Sequence, residues 1–396
     1  MQAVHRDIYD VALVGMKVIA TVPTDPKQAR HCGERENERK QQPDGARGDL
    51  PAGCLLGCML GRSLYKHLFD IVACAVMVNP LRVLFFGTSH FAVPTLRCLS
   101  ESGHELLAVY TQPDRPAGRG RKLRPSPVAM AARELGLPVE QPERGRKAEV
   151  VERLRGYAPD VVVLAAYGLL IPQAALDVPP LGWLNVHPSL LPLYRGASPV
   201  VAPILQGDTE TGVTIFLMRA GLDNGPVLSQ TRTPIGADET AGELEARLAR
   251  LGASQLVETL SAWSKGELEP KEQDYDRATY APKLTKEEAL LDWSDSAEQL
   301  ARRVRAYNPW PVAYTYWQGE RLRILRGEPV DGEAGHEPGE VYLLASNRLP
   351  VVACGEGALA LREVQLAGAR AVDGTSFVAG HAGFVGARLG SAGEPG

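Results

Sequence analysis

From Leu81 onward the chain alternates short apolar runs with longer segments of helical spacing, and this alternation limits the folds open to it more than any other feature. "LRVLFFG" is an apolar run ending on glycine, "FAVPTLRCLSESG" has helical periodicity and closes on Gly103, and "ELLAVYTQ" is a second strand-like run. Strand, helix and strand at this spacing form a βαβ unit. "SPVAMAARELG" then opens with a Ser cap and Pro127 at the first helical position. After the helical stretch "KAEVVERLRGYAP", the run "DVVVLAAYG" reads as a strand buried on both faces. "GWLNVHPS", the helix "SPVVAPILQGD" and the strand "TGVTIFLM" continue the pattern. It predicts an α/β fold, a Rossmann-like doubly wound, parallel-rich sheet with helices on both faces.

A nucleotide fold is the first suspect, yet the motifs for one are missing. "FFGTSHFAVP" has a lone glycine after the first strand where a dinucleotide site needs G-x-G-x-x-G, and no P-loop occurs in the chain. Neither nicotinamide nor ATP is supported. The net charge of −4 excludes a uniformly basic nucleic-acid binder while leaving room for a local basic patch. Six cysteines (Cys32, Cys54, Cys58, Cys74, Cys98 and Cys354) are too few and too irregular for a disulfide framework, which fits a reducing cytoplasm.

Residues 1–76 read differently from the rest. They combine a polar run, "PKQARHCGERENERKQQPDGARGD", with "CLLGCMLGRSLYKHLFDIVACAVMV", where Arg62, Lys66, His67 and Asp70 break any clean membrane span. Cys54, Cys58 and His67 lack a fourth ligand and the usual spacing of a zinc site, so no metal is expected. The change of composition at Met77 suggests that residues 1–76 are an upstream or dispensable extension.

The chemistry is expected in "GWLNVHPSLLPLYRGASP", residues 182–199. If "LNVH" is a strand, Asn185 and His187 share one face while Leu184 and Val186 take the other, so two polar side chains meet at a strand's end. That is where open parallel sheets place their ligands. Downstream, "RAGLDNGP" sets Asp223 among glycines. Each residue has a plainer explanation, since Asp-Asn-Gly is a common turn and His187 could be a hydrogen-bonded core histidine. Together they suit acyl transfer. An amide donates to a developing oxyanion, an imidazole moves the proton of an attacking amine, and a carboxylate orients the imidazole and favours its charged form.

"NVHPSLLP", "YRGASP" and "MRAGLDNGP" together resemble the active-site signature of the folate-dependent formyltransferases. The resemblance extends through "TQPDRPAGRGRKLRPSPV", "AAYGLLIP", "TYAPKLTKEEALLDW" and "AYNPWPVAY", from about residue 81 to near the C-terminus. It implies 10-formyltetrahydrofolate as the formyl donor, no metal, and the branch of the family whose acceptor is methionyl initiator tRNA. In that reading Asn185 polarises the formyl carbonyl, His187 takes the amine's proton and Asp223 holds His187. Ser189, Leu190, Leu191 and Pro192 match the "SLLP" segment that contacts folate. Pro188 departs from the glycine of many bacterial members, and its restriction of His187 to extended backbone suits a strand-end histidine.

The loop "RPAGRGRKLRP" carries Arg115, Arg119, Arg121, Lys122 and Arg124 and is the expected tRNA contact, whereas relatives acting on sugar-nucleotide or purine-precursor amines need no such loop. A formyltetrahydrofolate hydrolase module, or a non-catalytic tRNA-binding protein on an α/β scaffold, is the other alternative. "GELEARLARLGASQLVETLSAW" should close a catalytic domain over 77–266, followed by a polar linker over 267–285. Short runs from "VAYTYW" to "ALALREVQL", separated by turn residues, predict a small OB-like β-barrel over 286–396, which the resemblance assigns to tRNA contact. Arg302, Arg303 and Arg305 are either a solvated helix face or part of that contact. Neither a membrane nor DNA is an expected partner. A chain starting at Met77 should fold and keep full activity; peptides from 1–76 in mass spectra of the native protein, or an inactive short form, would argue against this.

Overall fold

The computed structural model describes residues 80–117, 122–143 and 147–390, so the expectation for 1–76 lies outside the described residues. The first part of the chain supplies strands β1 (Arg82–Gly87), β2 (Glu105–Tyr110), β3 (Arg115–Ala117), β4 (Lys122–Arg124), β5 (Val139–Glu140), β6 (Val161–Ala165), β7 (Trp183–His187), β8 (Arg195–Gly196), β9 (Glu210–Leu217) and β10 (Val227–Pro234). Helices α1 (Ala92–Glu101), α2 (Pro127–Glu134), α3 (Lys147–Tyr157), α4 (Gln173–Leu176), α5 (Val201–Gln206) and α6 (Ala241–Ser264) lie between or after them.

Seven strands form the main sheet in the order β10-β9-β7-β6-β1-β2-β5. β5, β2, β1, β6 and β7 are mutually parallel, and β9 and β10 complete the sheet antiparallel. The strand order reverses between β1 and β6, the switch point at which such sheets open a crevice beyond their carboxyl ends. The lone glycine of "FFG" sits there for steric reasons: a Cβ on Gly87 would come within 2.8 Å of the Ala92 Cβ.

The two sheet faces bury different residues of the same strands. Val83, Phe85, Leu184 and Val186 join the core under α1, α2 and α6, while Leu84, Phe86 and Trp183 join the core under α3 and α4. Helix α6 starts with a capping box in which Thr240 and Glu243 satisfy each other's backbone, and it presses close to the sheet at Gly252. A Cβ on Gly252 would lie 2.7 Å from Val186 Cγ1.

After the segment 265–289 come helix α7 (Ala297–Ala306), strands β12 (Tyr314–Trp317), β13 (Glu320–Val330), β14 (Val341–Leu343), β15 (Pro350–Ala353), β16 (Ala358–Leu366) and β17 (Val372–Asp373), and helix α8 (Gly374–Gly380); a short β11 (Tyr280–Ala281) precedes them. The antiparallel sheet runs β12-β13-β16-β15-β14, with β17 on β16, and curls around the core of Trp293, Leu322, Ile324 and Leu361. Its two edges do not pair directly. The chain at 386–390 fits between them, bonding to Val341 on one side and Tyr316 on the other. The sheet therefore closes into a small barrel. Among the described residues no helix is long and apolar enough to cross a membrane.

The arginines of α7 differ in what they touch. Arg305 donates to the carbonyls of Gly236 and Glu239, both at 3.2 Å, and burial pushes its guanidinium below the usual value. Arg303 pairs with Asp295 at 3.4 Å. Helix α7 packs against α5, and Arg305 joins the two parts of the chain, while Arg303 stays within the C-terminal part. Arg326 of β13 adds a 2.7 Å ion pair to Glu243. Hydrogen bonds from the Thr240 backbone, then the Arg326 guanidinium, hold the Glu243 carboxyl down at about 2.

Gly252→Ala tests the packing of α6. The exchange gains roughly 1 kcal/mol of helix propensity, but the added methyl overpacks a tight contact at a typical cost of about 1–3 kcal/mol. Urea unfolding is expected to show net destabilisation; a stabilised variant would contradict the close approach.

Candidate active site

Trp183, Asn185 and His187 point to one face of β7 because side chains alternate along a strand. Trp183 is capped by α4, to whose Ala175 carbonyl its indole N–H donates at 2.9 Å. Asn185 and His187 extend beyond it toward the carboxyl end of the sheet, 8% and 4% exposed. Asp223 reaches the same place from the turn between β9 and β10, in the left-handed region at φ +47°. Its Oδ2 lies 3.8 Å from His187 Nδ1 and accepts a 2.8 Å hydrogen bond from the Gly196 N–H. On its other side the ring meets the carbonyl of Tyr194, 3.1 Å from Nε2. Both imidazole nitrogens thus face oxygen acceptors, and a proton added to the ring stays beside one.

The Tyr194 carbonyl is aimed by several contacts. Tyr194 adopts φ +60°, its N–H donates to Thr279 Oγ1 at 2.8 Å, and its hydroxyl donates to Asp208 at 2.6 Å. Burial and that carboxylate raise its phenol pKa. The loop bearing Tyr194 also pairs with the segment read from sequence as a linker, β8 running parallel to β11. Thr279 and Gln273 of that segment contact the site directly, which the polar composition of 267–285 does not reveal.

The "SLLP" turn follows β7 immediately. Ser189 is fully buried and its hydroxyl donates to the Leu193 carbonyl at 2.6 Å, so it shapes the turn. Leu191 is buried, whereas Leu190 and Pro192 are partly exposed. Thr214 on β9, opposite His187, ties the turn to the sheet. Its hydroxyl donates to Ser189 O at 2.6 Å and accepts from Leu191 N at 3.1 Å and Gln230 Nε2 at 3.0 Å.

The two arms of the basic loop pair with each other, β3 antiparallel to β4 in the register Arg115 opposite Arg124. Arg115 donates to Gln112, which in turn donates to the Tyr167 carbonyl at the switch point. Arg124 is exposed, as is Leu123. Arg119 and Arg121 lie outside the described residues, as does the side chain of Lys122. A separate cavity of about 1160 Å³ opens beside Tyr194, between the catalytic part, the 279–294 segment and α7; Asn185, His187 and Asp223 do not line it. Among the described residues no group of three or more His, Cys, Asp or Glu side chains could hold a metal ion.

Family comparisons converge on this sheet and its signature. The model described as formyl transferase matches residues 81–260, and that of the formyl transferase C-terminal domain matches 283–382. The chain belongs to the formyl transferase family. A methionyl-tRNA formyltransferase of Thiobacillus denitrificans is 51% identical over 312 residues, covering 78% of this chain and 100% of the relative. One from Chloroflexus aurantiacus is 47% identical over 300 residues, covering 76% and 97%. Among solved structures, an N-formyltransferase of Helicobacter canadensis in complex with folinic acid and dTDP-3-aminofucose aligns at TM-score 0.55 and 15% identity, covering 74% of this chain and 100% of that one. HypX of Aquifex aeolicus in complex with tetrahydrofolic acid aligns at TM-score 0.53 and 19% identity, covering 76% and 47%. These two likenesses establish the formyltransferase fold.

Thr214→Val keeps the shape of the side chain while stranding the buried Ser189 carbonyl and the Leu191 amide. A loss of about 1–3 kcal/mol of stability is expected, the cost of unsatisfied buried polar groups. Denaturant titration checks it, and an unchanged midpoint would mean the turn is held by other contacts.

Proposed function

We propose that the protein transfers a formyl group from 10-formyltetrahydrofolate to the free amino group of methionyl initiator tRNA, in the cytoplasm, giving N-formylmethionyl-tRNA for translation initiation. The observation that carries the reading is the Asn185 and His187 pair on one face of β7, with Asp223 3.8 Å from the ring, in a chain 51% identical to a methionyl-tRNA formyltransferase.

The reaction needs three things from the protein. As the amine's lone pair bonds to the formyl carbon, the carbonyl oxygen gains charge, and the Asn185 carboxamide N–H donates to it. His187 takes the proton the amine gives up. The protonated ring then has the Tyr194 carbonyl beside Nε2 and the Asp223 carboxylate beside Nδ1. When the carbonyl re-forms, the bond to the folate nitrogen breaks and that nitrogen takes up a proton. Buried Ser189 and Leu191 fix the shape of the turn, and its backbone with partly exposed Leu190 and Pro192 offers a surface for the folate. No step calls for a metal.

Arg115, Arg119, Arg121, Lys122 and Arg124 are proposed to grip the phosphates of the acceptor stem. Their five positive charges lie within ten residues of sequence, and Arg115 bonds to Gln112, which reaches the Tyr167 carbonyl at the switch point; guanidinium groups pair with phosphate in a forked geometry.

A formyl-transfer assay with charged initiator tRNA tests the reading, with a sugar-nucleotide amine and a purine-precursor amine as competing acceptors. His187→Ala, Asn185→Ala and Asp223→Asn should each lower kcat about 100-fold or more, the size of loss typical for a general base or oxyanion donor. An Asp223→Asn enzyme with an unchanged rate and pH profile would reduce Asp223 to a turn residue. Arg119→Ala combined with Arg121→Ala should raise KM for tRNA and flatten its salt dependence, with the folate KM unchanged. Equal losses for both substrates would instead mark the loop as structural.

A further inference from the structure

The turn that bears Asp223 is held by side chains from the segment between the two parts of the chain. Its three successive carbonyls each accept a hydrogen bond from that segment. Gln273 Nε2 donates to Asp223 O at 2.9 Å and to Gly225 O at 2.6 Å, and the Tyr275 hydroxyl donates to Asn224 O at 2.9 Å. The backbone at Lys271 also pairs with Val227, just past the turn.

Gln273 is itself held from the other side. Its Oε1 accepts from Arg195 Nε at 3.1 Å and Nη2 at 2.7 Å. Gln273 is 6% exposed and Arg195 2%, and the guanidinium carbon sits 4.9 Å over the Tyr275 ring. A buried guanidinium is costly to hold on a neutral amide unless the geometry is fixed around it. The residue after Arg195 is Gly196, whose N–H donates to the Asp223 carboxylate. One end of the clamp therefore fixes the Asp223 backbone, and the other fixes the loop that aims the carboxylate.

We propose that Gln273, locked by Arg195, is a positioning residue that sets Asp223 against His187, so that the segment joining the two parts of the chain completes the catalytic centre. This rests on the formyl-transfer reading for its kinetic arm only.

The test uses the full chain and Gln273→Glu, which keeps an acceptor for Arg195 but sets an oxygen against the two carbonyls. kcat should fall about 10- to 100-fold, the scale of a small misplacement of a catalytic group, while KM for the folate donor and for charged tRNA stays near wild type. The double variant with Asp223→Asn should fall no further than Asp223→Asn alone, because the two act as one unit. Tyr275→Phe, at a half-exposed site that leaves the fold intact, should show a smaller kcat loss with the same dependence on Asp223. Independently of any substrate, exchange of the Gly196 amide hydrogen should quicken about tenfold or more in Gln273→Glu as its acceptor moves away. Losses that multiply in the double variant, an unchanged kcat, or unchanged Gly196 exchange would overturn the clamp. An inactive wild-type chain whose Gly196 amide still responds would instead count against the formyl-transfer reading.

Discussion

The pleat of β7 is the constraint from which the rest of the site follows. Because β7 lies inside the sheet, with Trp183–Asn185 paired to parallel β6 and Leu184–His187 to antiparallel β9, its register cannot slip. Leu184 and Val186 are committed to the core beneath α6, and that commitment turns Asn185 and His187 to the opposite face. The close approach of α6 at Gly252 reinforces it from below. A polar pair is thus held rigidly at a strand end by hydrophobic packing on the reverse side, with no need for the pair to stabilise itself. Its partner Asp223, by contrast, lies on a turn and depends on bonds from elsewhere.

Those bonds come from sequence-distant residues, and this ties catalysis to the arrangement of the whole described chain. Thr279 fixes Tyr194, β11 pairs with β8, and Arg305 and Arg326 attach the C-terminal part to the loop and helix that follow β10. A segment that links two bodies in sequence here acts as a wall of the site in space. Buried polar networks of this kind are stabilising only when every member is satisfied, so they specify one arrangement more sharply than apolar contact does.

Much of this was legible in the sequence, for physical reasons that differ by element. The parallel sheet declared itself through period: five buried residues at β6 and the alternation at β7 admit few other readings. The Ser126 cap and Pro127 locate α2, and the Asn-x-His spacing alone puts two side chains on one face. The roles of Gln273, Tyr275 and Thr279 are not legible locally, because a polar residue engaged by long-range contacts looks like any linker residue, and only Gln273 of the three is buried. Arg195 lies within the motif "YRGASP" yet gives no sign in the sequence of its amide partner 78 positions away. Helix α8, with glycine at both ends of "GTSFVAG", carries poor helix propensity and forms because Asp373 caps it and Phe377 is buried.

The closure of the C-terminal barrel by residues 386–390 has a consequence for biosynthesis. Until those residues are made, β12 and β14 each expose an unpaired edge, the feature that invites pairing with another chain. The catalytic sheet, α6 and the segment through Ala281 can all form earlier, so the nascent protein acquires its chemistry before it acquires a sealed surface. Loss of residues 386–390 by a premature stop or a protease would therefore leave Asn185, His187 and Asp223 in the chain while opening both sheet edges to pairing with another molecule, so these few residues guard solubility.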